Sequence, residues 1–317
     1  MQKKFFSIPS LVRCLILSSA SMLLFCLGFF MPPLGMAAMV FSPTPMALLG
    51  ARENNAWMSL GLLGAALTLW IVLGLWFALS FLLGYGLLCF GLTLTLGKLE
   101  KGSESLLFCI VMSIISKVLF VAGSVALGGS NPFEIDPGIL NNLYAGVLGK
   151  GGEETARLQE SLAQAAALVP YMFPFFIIVY SMFDSFINYR LCETLQRKHD
   201  VKFPPLPPFG EWRFPASLLY GLLFAFVLPF FVKGSDWHLW IMLEYNLKFI
   251  VNVFFFLQGL ALVWWWFAKY AANHSFPLLL RVMLIGFLSM PILNTWIAAL
   301  GLGDICLDFR TKKMKRA

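Results

Sequence analysis

Long apolar runs separated by short polar segments dominate this chain from one end to the other. A helix needs about 20 apolar residues to cross roughly 30 Å of hydrocarbon, and nine candidate spans of 16 residues or more emerge. They are residues 11–31, 34–49, the two halves of 57–96 (joined by a turn near 74–80), 105–127, 165–187, 216–232, 238–268 and 276–300. The pattern therefore predicts an all-α fold, a polytopic transmembrane helical bundle with eight or nine membrane segments.

The polar segments between these runs differ in charge, and the difference predicts a topology. Residues 129–164 contain five carboxylates and two basic residues, whereas residues 189–214 contain five basic residues in a shorter stretch. Lys and Arg are enriched in cytoplasmic loops. We therefore predict an external helical segment at 129–164, a cytoplasmic proline-rich connection at 189–214 and a cytoplasmic amino terminus. The whole chain, 1–317, is predicted to be a single integral membrane domain.

The last apolar run leaves the number of crossings open. Nine crossings would place the carboxyl terminus outside, although residues 310–316 include five basic residues. A re-entrant hairpin over 276–303 that turns at Pro291 would give eight crossings and keep this tail inside. Each half of such a hairpin would have about 14 residues and a length of about 21 Å, too short to cross.

Composition agrees with a membrane protein and excludes several other classes. Hydrophobic residues make up 59% of the chain and charged residues 12%, against about 45–50% and about 25% in soluble proteins. A soluble enzyme, a disordered chain and a disulfide scaffold are excluded. The formal net charge of +7 indicates basic residues held on the cytoplasmic side rather than nucleic-acid binding.

Motifs for catalysis, nucleotide binding and metal binding are missing from the sequence. There is no G-x-x-x-x-G-K-[ST], G-x-S-x-G, H-E-x-x-H or G-x-G-x-x-G. The six cysteines form no C-x-x-C pair, and the three histidines have no partner four residues away. We predict no enzyme activity, catalytic residue, metal or cofactor. Transport would then need an ATPase partner or an ion gradient.

Ionisable and amide side chains inside the apolar runs are the candidate ligand-binding residues, because such groups are costly in lipid. Glu244 and Lys248 are spaced for a helical ion pair. Asn252 and Gln258 continue the same stripe of the eighth run, and Lys117 lies in the middle of the fifth. The stripe is predicted to line a polar cavity. A hydrogen-bonded seam between helices with a snorkelling lysine is the alternative.

Asp184 is a further ionisable residue, near the end of the sixth predicted span. Because Lys117 is central in its span and Asp184 near the cytoplasmic end, we expect no direct pairing between them. Asp184 also fits a residue at the membrane interface.

Two pairs of prolines interrupt the apolar runs. Pro43 and Pro45 fall in the second run, and Pro170 and Pro174 in the sixth. Proline removes a main-chain donor, and freed carbonyls within a membrane are tolerated only against protein or a wet cavity. The prolines therefore indicate either broken helices of the kind found at transporter sites or kinks that shape packing.

Two polar clusters near the ends of later runs are predicted to bind a partner. Trp212 and Arg213 close the proline-rich stretch 203–215, which also fits a stiff elbow along the membrane. The second cluster is Asp304, Asp308 and Arg310. It either contacts a partner or clamps the end of the last helix.

Three motifs in this order resemble one family. They are Phe209-Gly-Glu-Trp-Arg-Phe-Pro215, then Asn252 with Gln258-Gly-Leu-Ala261, and then Gly301-Leu-Gly-Asp-Ile-Cys-Leu-Asp-Phe-Arg310. The sequence resembles the YybS-like family of uncharacterised bacterial inner-membrane proteins. The amino-terminal part of that family is similar to the S components of energy-coupling-factor transporters and, more distantly, to MreD-type morphogenesis proteins. The resemblance implies a multi-pass protein of the bacterial inner membrane.

Two functions follow as hypotheses. The first is a membrane transport component that binds a small solute or lipid-like ligand in an intramembrane polar cavity. The second is a non-transporting scaffold that organises an envelope or cell-division complex. The expected partners are the lipid bilayer and either an energising ATPase module or envelope proteins, with no nucleic acid. An intramembrane enzyme acting on lipid is a weaker third hypothesis, since no nucleophile–base pair is visible.

Overall fold

The computed structural model describes residues 8–31, 34–96, 98–128, 157, 160–161, 168–196, 203–232, 238–271, 286 and 291–310. Within these ranges the chain is helical and contains no strand, so the predicted all-α fold is confirmed. The α-helices are α1 (Ile8–Phe30), α2 (Leu34–Val40), α3 (Pro43–Arg52), α4 (Asn55–Leu73), α5 (Leu75–Phe81), α6 (Leu87–Leu94), α7 (Gly102–Gly128), α8 (Phe173–Leu195), α9 (Leu218–Val232), α10 (His238–Ala271) and α11 (Pro291–Leu307).

Six helical stretches in the described ranges are long and apolar enough to cross a membrane. They are Pro9–Phe30, Asn55–Leu73, Leu75–Leu94, Gly102–Leu127, Val169–Leu195 and Leu239–Lys269. Two further helices, Leu218–Phe230 and Leu293–Leu307, are also apolar but shorter. A multi-pass helical membrane protein is thus confirmed, although the count of eight or nine segments is not reached by helices of full length.

Glycine and proline decide where the apolar runs break. The run 57–96 turns at Gly74, whose φ of 101° favours glycine, within the turn predicted at 74–80. The predicted span 34–49 is instead two short helices, α2 and α3. Pro43 and Pro45 lie in the first turn of α3, where a missing N–H leaves no intrahelical bond unmade.

The prolines of the sixth run also begin a helix rather than interrupt one. Pro170 lies in a 3₁₀ turn, Val169–Met172, and Pro174 is the second residue of α8. The first turn of a helix tolerates proline because its N–H groups lack intrahelical partners. At the first pair the predicted span is thus broken into two helices, and at the second a 3₁₀ turn that contains Pro170 passes into α8 within the helical stretch Val169–Leu195.

The described chain forms two compact units. The first unit comprises the described parts of Met1–Leu143 and Phe176–Leu206, and the second those of Tyr144–Phe175 and Pro207–Ala317. Helix α8 begins in the second unit and continues in the first. The predicted external segment, 129–164, lies almost entirely outside the described residues, and so does the first half of the last predicted span.

The first unit buries two apolar clusters. In one, Phe25 of α1 packs edge-to-face against Phe81 at the end of α5, with ring centroids 5.3 Å apart. In the other, Tyr189 and Cys192 of α8 pack among residues of α3, α6 and α7. Phe203, from the proline-rich connection, stacks edge-to-face on Tyr189. These contacts hold α8 beside α7.

The second unit is built on a close approach of α10 and α11. Val251 and Phe255 of α10 pack against Ala298 of α11. A Cβ atom at Gly259 would overlap the Ile297 carbonyl, and one at Gly301 would overlap a main-chain carbonyl of α10. The small residues let the two backbones meet, as in other membrane helix pairs. This brings polar groups of both helices within hydrogen-bonding distance.

Candidate functional site

Helices α7 and α8 of the first unit present their polar side chains on matching faces. Ser113 and Lys117 are four residues apart on α7, and Asp184 and Asn188 are four residues apart on α8. Residues at this spacing share one face of a helix. All four side chains are buried, so polar groups face each other between two helices that are otherwise largely apolar.

Lys117 and Asp184 form an ion pair, with 2.8 Å between Lys117 Nζ and Asp184 Oδ2. The expectation that they lie at different depths is wrong. Because α8 begins and ends eight residues later than the predicted span, Asp184 is the middle residue of this 23-residue helix. It therefore shares the depth of a lysine that is also far from both ends of its own helix.

The Asp184 carboxylate has further donors besides the lysine. Ser113 Oγ donates to Oδ2 at 3.3 Å, and Asn188 Nδ2 donates to Oδ1 at 2.8 Å. Asn188 is itself fixed, because its Oδ1 accepts from Thr44 Oγ1 at 2.6 Å and its Nδ2 donates to the Val40 carbonyl at 2.8 Å. The proline-initiated start of α3 thus provides the far end of the network.

A cavity of about 720 Å³ lies in the first unit beside this ion pair. We call it the aromatic cavity, because its walls are mostly aromatic and aliphatic. Lys117 is the charged side chain among the described residues that line it. The other lining residues include Phe29, Trp76, Phe120, Phe176 and Phe183. Its volume falls within the range of about 300–1,000 Å³ typical of ligand pockets.

A π-helical segment, Leu82–Gly86, shapes one wall of the aromatic cavity. Gly84 and Tyr85 from this segment line the cavity. The wide turn offers the Leu83 carbonyl to Ser116 Oγ of α7, at 2.5 Å. Single π-turns inside α-helices occur frequently at functional sites. Here the segment contributes a glycine and a tyrosine to the cavity wall that also contains Lys117.

Two tyrosines complete the polar end of the aromatic cavity. The hydroxyl groups of Tyr85 and Tyr180 are 3.2 Å apart, close enough for one to donate to the other. The Lys117 ammonium lies 4.8 Å from the centroid of the Tyr180 ring, a cation–π distance. Neither tyrosine was predicted as a site residue. Tyr180 precedes Asp184 by one helical turn, and that spacing was the available signal.

A second buried polar cluster, which we call the arginine cluster, joins Gln258, Asp304 and Arg310 in the second unit. Gln258 Nε2 donates to Asp304 Oδ2 at 2.6 Å, and Arg310 Nη2 lies 2.9 Å from the same oxygen. Gln258 Oε1 also accepts from the main-chain N–H of Phe214 at 3.0 Å. Asp308 has a φ of 47°, and this left-handed residue turns the chain after α11 so that Arg310 reaches back to Asp304.

Arg310 also fastens the loop that precedes α9. Its Nη1 donates to the carbonyls of Gly210 and Trp212. Burial lowers the pKa of the Arg310 guanidinium from its ordinary value, while the Asp304 carboxylate opposes that shift. Arginine remains charged near neutral pH, so the cluster holds a permanent buried cation. The three sequence motifs that carry the family resemblance meet in this cluster.

The predicted stripe of α10 is divided in the structure. Glu244 and Lys248 form the predicted i,i+4 ion pair, with 2.5 Å between Lys248 Nζ and Glu244 Oε1. Lys248 and Asn252 line a cavity of about 230 Å³ in the second unit. Gln258 instead belongs to the arginine cluster, and Lys117 belongs to the first unit. The five predicted ligand-binding residues therefore occupy three different environments.

The predicted partner-binding residues also separate by environment. Asp304 and Arg310 are buried within the second unit. Arg213 and Asp308 form an ion pair with 3.1 Å between Nη1 and Oδ1, and both side chains are about half exposed. Trp212 is partly buried, and its Nε1 donates to the Pro207 carbonyl. The alternative of a helix-end clamp describes Asp304 and Arg310 well.

Comparison with known proteins gives one curated relative and one family. The chain is 27% identical over 162 residues to the uncharacterized protein YybS of Bacillus subtilis (strain 168). The matched region covers 50% of this chain and 50% of that relative, so the chain spans about half the length of the curated relative it matches. No solved structure matches the chain.

The family match extends over nearly the whole chain. Residues 19–305 match the family described as a predicted membrane protein, DUF2232. This range includes α2 to α10 in full, the ion pair of Lys117 and Asp184, and Asp304 of the arginine cluster. The similarity to S components of energy-coupling-factor transporters is found in neither comparison. The chain belongs to the DUF2232 family of predicted membrane proteins.

Proposed function

We propose that this protein is a membrane transport component that binds a lipid-like ligand in the aromatic cavity. The observation that carries the proposal is the cavity itself, with about 720 Å³ of space, apolar walls and Lys117 at one end. Apolar pockets with a few convergent polar groups are the usual form of small-molecule sites. An amphipathic ligand with a long apolar chain matches this division between wall and polar end.

Access to the cavity supports a ligand that arrives through lipid. Trp76 and Phe183 line the cavity and are 41% and 56% exposed. Both belong to stretches apolar and long enough to cross a membrane. A chain-like molecule in the bilayer could therefore enter sideways between these rings without crossing water. The 230 Å³ cavity beside Lys248 is below the usual range for ligands, which favours the aromatic cavity over the predicted stripe.

A cavity-filling variant tests the binding site. A Cβ atom at Gly84 meets no atom within 4 Å, so Gly84→Leu should occupy the space without displacing the backbone. We expect hexadecanol to bind the wild-type protein in lipid nanodiscs and to bind Gly84→Leu at least about tenfold more weakly. The readout is isothermal titration calorimetry.

The matched control places the same side chain at another open glycine. Gly64 lies on α4, where an added Cβ also meets no atom within 4 Å. It lines a separate cavity of about 480 Å³ rather than the aromatic cavity, so the pair of variants also distinguishes the two cavities. Gly64→Leu should bind hexadecanol like the wild type. Equal binding by wild type and Gly84→Leu would exclude this cavity as the site.

A leaflet-exchange assay distinguishes transport of a lipid across the membrane from binding without transport. Vesicles carrying a lysophospholipid with a fluorescent nitrobenzoxadiazole tail are treated with dithionite, which bleaches only the outer leaflet. Transport predicts that wild-type protein exposes inner-leaflet probe faster than protein-free vesicles and faster than Gly84→Leu. Equal rates in all three samples would leave a binding protein and exclude exchange of this lipid.

A scaffold function is the second candidate, favoured by one surface of the second unit. The half-exposed pair of Arg213 and Asp308 joins the loop before α9 to the end of α11. The buried Arg310 holds both elements, because it bonds to the Trp212 carbonyl of the loop and to the Asp304 carboxylate of α11. The surface is therefore polar and firmly held. A scaffold predicts that Arg213→Glu removes a co-purifying envelope protein, whereas Gly84→Leu does not.

A further inference from the structure

We infer that the ligand of the aromatic cavity carries an anionic headgroup, a carboxylate or a phosphate, and that its binding is linked to the uptake of one proton by Asp184. This inference rests on the proposed binding function and specifies the chemical class of its ligand. It follows from the donors at the polar end of the cavity and from the charge that a buried site can hold.

The polar end of the cavity presents hydrogen-bond donors. Lys117 Nζ has three N–H groups and donates to Ser113 Oγ and Asp184 Oδ2. If one of Tyr85 and Tyr180 donates to the other, the second hydroxyl hydrogen remains for a ligand. Ser80 also lines the cavity, but its hydroxyl donates to the Trp76 carbonyl. No carboxylate lines the described wall, so the end favours a group that accepts hydrogen bonds.

Lys117 can turn toward a ligand without leaving Asp184 unbonded. The carboxylate retains the Ser113 hydroxyl and the Asn188 amide, and its side chain is fully buried behind the wall. The lysine has a flexible four-carbon stem and a compact charge. It is therefore the mobile partner of the pair, and the aspartate is the fixed one.

Charge balance then determines what happens when an anion enters. The ligand-free pair is neutral, with one ammonium and one carboxylate. An added anion would leave a net negative charge in a site of low dielectric, which is strongly unfavourable. Protonation of Asp184 removes that charge, since the bound site then contains one ammonium, one anionic headgroup and one neutral carboxylic acid. One proton is thus taken up with each anion.

The surroundings of Asp184 suit a neutral acid. Ser181, one turn earlier on α8, is fully buried, and its Oγ has no hydrogen-bond partner among the described residues. At a separation of three residues the two side chains share one face of α8, so this hydroxyl is a candidate acceptor for an added O–H. The other titratable groups around Asp184 are Tyr85 of the π-segment, Cys89 of α6 and Tyr180 of α8. Tyrosine and cysteine are ordinarily neutral near pH 7, which leaves Asp184 as the proton acceptor.

A matched series of ligands tests the headgroup. Palmitate, hexadecyl phosphate, hexadecanol and hexadecylamine have the same chain and differ in charge. We expect at least one of the two anions to bind the wild-type protein in nanodiscs at least about tenfold more tightly than hexadecanol, and hexadecylamine to bind most weakly. Which anion binds more tightly identifies carboxylate or phosphate as the headgroup. Hexadecanol binding as tightly as both anions, or tighter binding of the amine, would overturn the inference.

Two variants test the proton. Asp184→Asn keeps the shape of the side chain but holds no charge, so it mimics the protonated state. We expect it to bind the preferred anion as tightly as wild type or more tightly, and Lys117→Gln to lose the preference over hexadecanol. Calorimetry in two buffers of different ionisation enthalpy should show about one proton more taken up by wild type than by Asp184→Asn. The affinity of Asp184→Asn for the anion should accordingly fall less steeply with rising pH than the affinity of the wild type.

The outcomes distinguish failure of the inference from failure of the proposed function. Equal proton uptake by wild type and Asp184→Asn would overturn the linkage. Tight binding of all four ligands would overturn headgroup selection while leaving the cavity as a lipid site. No binding of any of the four chains would overturn the inference and the proposed function together. Because the ligand series uses unaltered protein, a folding defect in a variant cannot produce its two outcomes, tight binding of all four ligands or of none.

Discussion

Two buried ion pairs in the described part of the chain are alike in length and differ in their surroundings. Lys117 and Asp184 in the first unit are 2.8 Å apart, and Arg310 and Asp304 in the second are 2.9 Å apart. The first pair adjoins a cavity of about 720 Å³, whereas main-chain carbonyls and Gln258 surround the second. Burial of charge is therefore a poor guide to function by itself. Empty space beside the charge separates a candidate site from a structural clamp.

The largest expected effect is the loss of the clamp. Arg310→Met leaves Asp304 as an uncompensated buried charge and leaves the Gly210 and Trp212 carbonyls without their donor. Breaking a buried pair in this way costs about 3–5 kcal/mol, measured as the free energy of unfolding in mixed micelles. Arg213→Met, which removes a half-exposed ion pair, is the control and should change stability by less than about 1 kcal/mol. Equal effects would show that Arg310 is no clamp.

Lys117→Met should destabilise the protein less than Arg310→Met. Asp184 keeps the Ser113 and Asn188 donors, so we expect a loss of about 1.5–3 kcal/mol. The same unfolding measurement applies. The double variant Lys117→Met/Asp184→Leu should recover most of the loss, because replacing a whole buried pair by apolar groups is often neutral. A double variant less stable than the single one would contradict this account.

Gln258→Leu separates the two ends of the predicted stripe. It leaves the partly buried Phe214 N–H without an acceptor and removes a donor to the buried Asp304, which should cost about 1–3 kcal/mol of unfolding free energy. Asn252→Leu is the matched control on the same helix, at the wall of the small cavity, and should be close to neutral. If the two substitutions lowered the unfolding free energy equally, Asn252 and Gln258 would contribute alike to stability, and the division of the stripe would be wrong.

The smallest effect is expected at the exposed end of the stripe. Lys248→Met removes an i,i+4 ion pair in which the lysine side chain is 44% exposed. Such pairs contribute about 0.3–0.5 kcal/mol, near the limit of an unfolding titration. High salt should reduce the difference between wild type and variant further. A loss above about 1 kcal/mol would instead indicate that Glu244 is left buried without compensation.

Local patterns in the sequence were sufficient for some elements and not for others. The turn at Gly74 was predictable, because the run is too long for one helix and only a few residues near its middle suit a turn. The Glu244–Lys248 pair was predictable from spacing alone. The pairing of Lys117 with Asp184 was not, because it depends on where α8 begins and ends, and the apolar pattern placed both ends eight residues too early.

The arginine cluster shows a second limit of sequence reasoning. Asp304 and Arg310 are six residues apart, a separation that places them on no common face of a helix. They meet because Asp308 adopts a left-handed conformation, which a non-glycine residue rarely does. Gln258 was identified as polar and inward-facing, but its partner lies 46 positions away in the sequence. Such contacts depend on tertiary packing rather than on local pattern.

The π-helical segment makes the wall of the aromatic cavity sensitive to chain length. A π-turn holds one residue more than the α-turn it replaces, so deleting one residue within Leu82–Gly86 would restore a regular α-helix without shortening it appreciably. Because the π-turn absorbs the extra residue, the helices on either side of it would keep their relative facing. The change would be confined to the segment itself, which contributes Gly84 and Tyr85 to the cavity wall. The loss of one residue here would thus alter the wall of the aromatic cavity while leaving the membrane span intact.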